Sequence, residues 1–442
     1  MCGELGVDNI RFLLALGIFI ATYGAIAFRN IKGGGIPIWS VMLTGAVAMV
    51  FSGAISVSDA YRSVNFEVII FLFSMFTFVT AMDVSGVLEA FATKLFLRAR
   101  KPNDILYLTF FGFGFASAIL MNDTLALMGT PIMLSLAKKM RVSPKPLLLT
   151  LAFSVTVGSV MTPMGNPQNL LIALVSGVPA PVITFTLYLA APAIVNLLIT
   201  YLILRHIYRN EFLKAREGFI QLVDFEAALK DSRITDRNLA KETIAILGLT
   251  MAGILFVNIL EMAGMKQQFG ISEVSLFGAT LLLLLSSRRR EIVKRLDWGI
   301  LIMFASLFVL MQALWDTGIV AELSKYLPSM SKSDPASSLI SILVSSVLLS
   351  QVLSNVPMVA LYLPVMKSLG YGPSDKSAWA ALAGGSTLAG NLTLLGAASN
   401  LIIVEEAEAR GHKLGFVEFF KVGCLITAAN IFILYLFLVL LP

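Results

Sequence analysis

The sequence predicts an all-α polytopic membrane protein, with about 11 transmembrane helices and two re-entrant hairpins arranged as two inverted-topology repeats. Three observations predict it. Hydrophobic residues make up 57% of the 442 residues and charged residues only 14%, with a mean hydropathy of +0.85, far more apolar than a soluble domain. Lys and Arg are gathered into a few segments, and the two halves of the chain resemble each other. A soluble catalytic domain finds no room, because the longest polar segment, 205–239, reads as a loop.

Apolar stretches of the roughly 17 to 25 residues that a bilayer requires recur along the chain, at 10–28, 36–55, 66–82, 181–204, 240–262, 298–314 and 416–441. The first runs directly into "RNIK" without a basic leader, so it reads as a transmembrane helix and not as a cleaved signal. The stretches 86–101 and 318–330 are amphipathic and read as interfacial helices following the first span of each repeat.

Charge sets the orientation. Six segments, 29–32, 94–101, 138–145, 205–241, 288–295 and 410–421, hold 26 of the 33 Lys and Arg, and the positive-inside rule makes them cytoplasmic. The other seven, Arg11, Arg62, Lys266, Lys325, Lys332, Lys367 and Lys376, then fall outside, as do both termini. For this to work, 105–137 enters from the cytoplasm and returns to it, while 336–369 does the same from the other side. These are the two hairpins.

The repeat lies in three blocks in the same order. "VTVGSVMTPMGNPQNLLI" (155–172) matches "STLAGNLTLLGAASNLII" (386–403) at an offset of 231, placing Gly165 on Gly396 and Asn169 on Asn400. "MNDTLALMGTPIM" (121–133) matches "SNVPMVALYLPVM" (354–366), placing Asn122 on Asn355, and "MDVSGVLE" (82–89) matches "WDTGIVAE" (315–322). With opposite charge orientation this predicts an inverted repeat, an architecture of secondary transporters. The expected organisation is scaffold helices at 1–64, a first unit at 65–177 with hairpin 105–137 and broken helix 146–177, and scaffold helices at 178–296 with cytoplasmic loop 205–239. A second unit follows at 297–407 with hairpin 336–369 and broken helix 378–407, then a last helix at 408–442.

Each unit carries two interruptions, a hairpin tip ("LMNDTL", "LSNVPM") and a helix break ("TPMGNPQN", "LLGAASN"). Interrupted backbone survives in lipid only where it is packed in protein or lines a cavity, so the breaks are the expected site. Half-helix N-termini bind anions and released carbonyls bind small cations. Substrate candidates are Asn122, Thr124, Gly165, Asn166, Asn169, Ser354, Asn355, Gly396, Ser399 and Asn400. Coupling-ion candidates are Asp123, Asn122, Thr162, Asn355 and Asn391; of the site candidates, Thr124, Thr162, Ser354, Ser399 and Thr393 form a second line. The paired asparagines either take part in binding or only tie the broken backbone together. Asp123, a carboxylate at membrane depth whose counterpart is Val356, suggests a cation- or proton-carrying group; exposed to a watery vestibule, it would be merely solvated.

Other chemistries lack their residues. Cys2 and Cys424 sit at opposite ends, without disulfide or metal spacing; His206 and His412 fall in basic loops; no Walker, zinc-protease or nucleophile-elbow motif is present. No cofactor is expected, and Na+ is the only metal ion the pattern admits.

On "GNPQNLLIA", "GNLTLLGAASNLIIVEEA" and "SNVP", over about residues 40–442, the chain resembles the ion transporter superfamily, particularly its arsenite permease and sodium:proton antiporter branch and the related divalent anion:sodium symporters. The resemblance implies that 122–124 with 165–169, and 354–356 with 396–400, form substrate and sodium sites. It also implies a dimerising scaffold and a transport domain that moves like an elevator. The tips differ from two Ser-Asn-Thr motifs, which leaves solute and ion open. The expected function is secondary active transport of a small carboxylate or inorganic oxyanion coupled to Na+ or H+. Proton-coupled arsenite efflux or Na+/H+ antiport is the alternative, and an anion channel is the alternative of another class. Expected partners are that solute, the bilayer of the plasma (inner) membrane and a second copy of the chain, with no nucleic acid.

Overall fold

Polar caps set where the apolar runs begin. Asn65 accepts a hydrogen bond from the Val68 amide (3.1 Å) to start Phe66–Val84, and Asp297 accepts one from Ile300 (3.2 Å) to start Trp298–Asp316. Each satisfies an amide that the first helical turn leaves free. Both helices end in a left-handed glycine, Gly86 (φ 77°) and Gly318 (φ 78°), a conformation that costs glycine nothing. These four residues are pairs at an offset of 232, so equal lengths of 19 residues follow from matched start and stop signals.

The computed structural model describes residues 2–28, 36–96, 98–99, 101–211, 234–265, 268–325, 332 and 334–440. Every regular element among the described residues is helical. Seven helices there are long and apolar enough to cross a membrane: Asn9–Ile26, Phe66–Val84, Pro181–Ile207, Arg237–Met262, Trp298–Asp316, Pro335–Leu353 and Phe416–Leu440. The expected span 36–55 is the shorter helix Ile38–Phe51, about 21 Å long at 1.5 Å per residue, and Ile271–Leu285 is similarly short. The stretch 146–177 is divided into Lys145–Ser159 and Pro167–Val175, and 378–407 into Lys376–Leu388 and Ala398–Glu408. Of the polar segment 205–239, residues 212–233 lie outside the described residues, while its ends belong to Pro181–Ile207 and Arg237–Met262.

The two expected hairpins are helix pairs. In the first, Pro102–Leu108 continues through a π turn, Thr109–Phe113, and Gly114–Ser117, turns at 118–121, and returns as Asn122–Met140. In the second, Pro335–Leu353 meets Asn355–Ser368 at Ser354, whose φ of 66° is left-handed although it is not a glycine. The amphipathic stretches are helical at Val87–Phe96 and Ile319–Ser324, with 326–330 outside the described residues.

The halves pack on each other reciprocally. Ile38–Phe51 packs on Trp298–Asp316, and its counterpart Ile271–Leu285 packs on Phe66–Val84. Pro167–Val175 packs on Asn355–Ser368, and Ala398–Glu408 packs on Asn122–Met140. Pro181–Ile207 crosses Phe416–Leu440, where the Asn196 side chain donates to the Asn430 carbonyl (3.2 Å) and Thr200 donates to the Asn430 Oδ1 (3.2 Å). Burial of the apolar faces between these pairs supplies a main core from Ala15 to Leu438 and a smaller second cluster around Phe78, Ile246, Ala279 and Leu282, and ion pairs between elements join Lys145 to Glu418 (2.8 Å), Arg295 to Asp83 (3.8 Å) and Lys332 to Asp375 (2.8 Å).

Candidate functional site

The two helix breaks share one backbone path. Thr162 (φ −139°, ψ 159°) and Thr393 (φ −138°, ψ 163°) turn the chain out of the first half-helix. Short 3-10 turns at 163–165 and 394–396 follow, and extended residues, Asn166 and Ala397, start the second half-helix. Gly165 and Gly396 sit in those turns because nothing larger fits. A Cβ on Gly165 would lie 2.7 Å from the Ser117 carbonyl and against the Ser159 carbonyl, and one on Gly396 would lie 2.8 Å from the Ala389 carbonyl.

Freed backbone groups are answered by side chains. The Thr162 hydroxyl donates to the Ala118 carbonyl and accepts from the Met164 amide (3.2 Å), while Thr393 donates to the Gln351 Oε1 (2.8 Å). Each matched threonine thus ties its break to the hairpin of its own half. The Asn169 amide group donates to the Ser159 carbonyl (3.4 Å), and that of Asn400 to the Gly390 carbonyl (2.6 Å), again an offset of 231. Of the two readings left open for these asparagines, tying the backbone describes their Nδ2 atoms. Their oxygens differ: Asn169 Oδ1 accepts from Thr387 (2.9 Å), whereas Asn400 Oδ1 is buried without a partner.

Asn166 caps the second half-helix of its break, accepting from the Asn169 amide (2.9 Å). Its own amide nitrogen faces the Ser159 carbonyl (3.1 Å), the Ser159 hydroxyl (3.1 Å) and the Thr387 hydroxyl (3.2 Å). Asn391 is fully buried with both polar side-chain atoms unpartnered.

A cavity of about 350 Å³ opens where the hairpin tips meet the second half-helices of both breaks. Asn122, Asp123, Ser354, Asn355 and Val356 line it from the tips, and Pro167, Gln168, Ala397 and Ala398 from the breaks. Pro37, Trp39, Asp297 and Glu405 also line it, and among the described residues no Lys or Arg does. The carbonyl oxygens of Asn122 and Asn355 are buried and unpartnered, so the cavity presents matched acceptors from the two halves. An unmade hydrogen bond at a buried oxygen costs about 1–3 kcal/mol, which is the cost a bound solute or ion would remove.

The structure therefore brings Asn122, Asp123, Ser354 and Asn355 together on one surface. Ser399 stands directly behind it, accepting from Asn122 (3.5 Å). Thr124, in the first turn after the tip, and Gly165, Asn166, Asn169, Gly396, Asn400, Thr162, Asn391 and Thr393 lie outside that lining. Sequence reasoning passed over Thr387, Gln351, Asp297, Glu405 and Trp39. Thr387 had a usable signal, since it falls on Thr156 in the 231-residue match; Asp297 and Glu405 had none, because only the fold carries them to the cavity.

A family model described as "Citrate transporter" matches residues 14–389. An uncharacterized transporter of Mycobacterium bovis is 28% identical over 95% of this chain and 96% of its own length. An uncharacterized transporter of Synechocystis is 26% identical over 98% of both. Among solved structures, the YdaH transporter of Alcanivorax borkumensis, described as having an unusual topology, superposes with a TM-score of 0.52 at 13% identity, covering 97% of each chain; that likeness concerns the fold.

Proposed function

From the premise that this chain belongs to the citrate transporter family, and is therefore a multi-pass membrane transporter, we propose that it moves a small carboxylate by secondary active transport coupled to Na+ or H+. The carrying observation is a cavity lined by both hairpin tips and both breaks. In this reading the matched caps, breaks and reciprocal packing are two inverted repeats, and the helix pairs 102–140 and 335–368 are re-entrant hairpins of opposite sense. Asn122, Asn355 and Ser354 contact the solute together with the half-helix N-terminus at Ala398, which has no side-chain cap and whose amides attract anions, while at the first break Pro167 has no N–H and the Asn169 amide is taken by Asn166.

Coupling follows from charge. Asp123, Asp297 and Glu405 border the cavity, and no basic side chain among the described residues lines it with them. A carboxylate solute entering there is repelled unless a cation or proton enters with it, so transport without the coupling ion is disfavoured at the binding step. Asp123, at the tip itself, is the carboxylate that takes this role.

Pro37, Trp39 and Asp297 line the cavity, and in the sequence they follow closely on the basic segments 29–32 and 288–295. We read it as facing the cytoplasm, with both termini outside the plasma (inner) membrane. The ion pairs support this orientation, since each links segments assigned to one side. Alternating access then moves hairpins and broken helices as one body against scaffold helices, which pair in a homodimer. The acidic lining also favours a second reading, exchange of a neutral metalloid acid such as arsenite, or of Na+, for protons.

Purified protein in proteoliposomes, given labelled citrate or succinate under an imposed Na+ or pH gradient, tests the first reading. Saturable uptake that follows one gradient is expected. Absence of uptake of any carboxylate under both gradients, with arsenite or Na+ exchanging for protons in the same vesicles, would replace it with the second. Macroscopic currents would mean a channel.

A further inference from the structure

A second cavity, of about 330 Å³, lies apart from the central one. Three elements wall both. Trp298–Asp316 faces the central cavity with Met303 and this one with Met311; Pro167–Val175 does so with Gln168 and then Leu171, and Asn355–Ser368 with Val356 and then Leu363. Two of the three belong to the broken helices and hairpins, while Trp298–Asp316 packs on Ile38–Phe51 of the scaffold. The second cavity is therefore a cleft between the two bodies that the proposed cycle displaces.

Its lining is almost wholly apolar, and Gln312, one of its few polar side chains, spends its amide on Asp316 (2.7 Å). Among the described residues the only charged side chain there is Lys367. Its ammonium is exposed and has no hydrogen bond or ion pair, whereas Lys145, Lys325 and Lys332 each hold a carboxylate. The last turn of a helix favours a cation, but the repeat does not demand one, since the match of Lys367 is Leu134. Small-molecule sites have this make-up, mostly carbon with a few polar groups that orient the ligand, and begin at about 300 Å³. An apolar wall with one unpaired cation complements a molecule with an apolar body and a single negative head. A di- or tricarboxylate would instead press its remaining charges on carbon, unpaired.

We infer that this cleft binds a single-chain amphiphilic monoanion, a fatty carboxylate, with its head on Lys367 and its chain against Leu171, Phe308 and Trp315, and that the bound molecule wedges the two bodies and slows transport. Only the wedging rests on the proposed alternating access; the binding does not. An occupant that touches both walls does so in this arrangement alone, and a ligand shifts a conformational equilibrium by its differential affinity for the two states. Because the central cavity stays open, the inhibition lowers the maximal rate and does not compete with the solute.

The test uses the purified full-length protein in phosphatidylcholine vesicles at a fixed alkaline pH, with 11-bromoundecanoate as the probe. Bromine quenches tryptophan fluorescence at short range, and Trp315 lines the cleft; the chain has four Trp, so the difference between wild type and Trp315→Phe isolates its signal. The alcohol 11-bromo-1-undecanol has the same chain without the charge and controls for partitioning into the bilayer. Saturable quenching of Trp315 is expected, with the acid effective at a concentration on the order of tenfold below the alcohol. Lys367→Gln should erase that preference and Lys367→Arg should keep it. Val175→Phe, which fills the cleft from the half-helix side, serves if Lys367→Gln does not fold, and should weaken acid and alcohol alike. In uptake on the same vesicles the acid should lower the maximal rate with KM unchanged in wild type and not in Lys367→Gln, a comparison that also controls for protons carried by the acid itself.

Equal quenching by acid and alcohol, or an acid preference that survives in Lys367→Gln, overturns the site. Displacement of the probe by added phosphatidylglycerol assigns the cleft to a phospholipid and overturns the single-chain ligand. A raised KM at an unchanged maximal rate, or equal inhibition of wild type and Lys367→Gln, overturns the wedge. Uptake separates the two levels. If quenching depends on Lys367 but no gradient drives carboxylate uptake, the site stands and the transport reading falls. If uptake runs and quenching shows no preference for the acid, the transport reading stands and the site falls.

Discussion

Thr387→Val and its matched control Thr156→Val distinguish a filled break from an open one. Thr387 makes three side-chain hydrogen bonds, to Asn169 (2.9 Å), Asn166 (3.2 Å) and Gln168 (3.4 Å). Valine keeps the shape and removes all three. Asn169 Oδ1 is then left fully buried without a donor, at about 1–3 kcal/mol. Gln168 lines the cavity and can turn to water, and Asn166 keeps Ser159, so each adds only the net value of a lost bond, about 0.5–1.5 kcal/mol. The total is about 2–6 kcal/mol for Thr387→Val. Thr156 has no partner to lose, so in Na+-free buffer the same substitution should be neutral or slightly stabilising. Thermal unfolding of both variants in choline chloride reads the difference as a markedly lower melting temperature for Thr387→Val alone. Equal losses in the two, or no loss in Thr387→Val, would refute the argument that the breaks are filled differently.

Asp123→Asn should alter the pH or cation dependence of uptake; unchanged dependence would remove Asp123 from coupling. Gly158→Ala should destabilise strongly, because its Cβ would press on the Gly114 carbonyl, whereas Gly248→Ala, with open space around it, should be neutral or stabilising by up to about 1 kcal/mol; comparable melting of the two would contradict the close approach. Ser354→Gly should relieve the left-handed strain at the second tip, about 1–3 kcal/mol, raising stability while weakening solute uptake; a lower melting temperature would show that the tip is not strained. In a background without the native cysteines, Lys376→Cys should react with an impermeant thiol reagent from outside intact cells and Arg290→Cys should not; the reverse pattern would invert the proposed orientation.

Membrane insertion was legible in composition alone, because nothing but lipid tolerates so many long apolar runs. The hairpin tips and breaks were also legible, since Asn, Gly and Pro in an apolar segment each record a lost helical bond. The match of Asn122 to Asn355 and Asn169 to Asn400 showed that the same chain path is used twice. Pairing of residues, however, did not separate those that face the cavity from those that hold the backbone behind it. Asn122 and Asn169 look alike in sequence; one lines the cavity and the other spends its amide on Ser159.

That division was decided by tertiary packing. Asp297 and Glu405 read as an ordinary helix cap and an ordinary charged residue, and reach the cavity only because Trp298–Asp316 and Ala398–Glu408 pack across halves. Thr387 became a partner of Asn169 for the same reason, across 218 residues of chain. A sequence records local costs, such as a helix bond given up or a charge placed in lipid. Which side chain repays them from the opposite half depends on contacts between segments far apart in the chain, and those exist only once the two halves are interlocked.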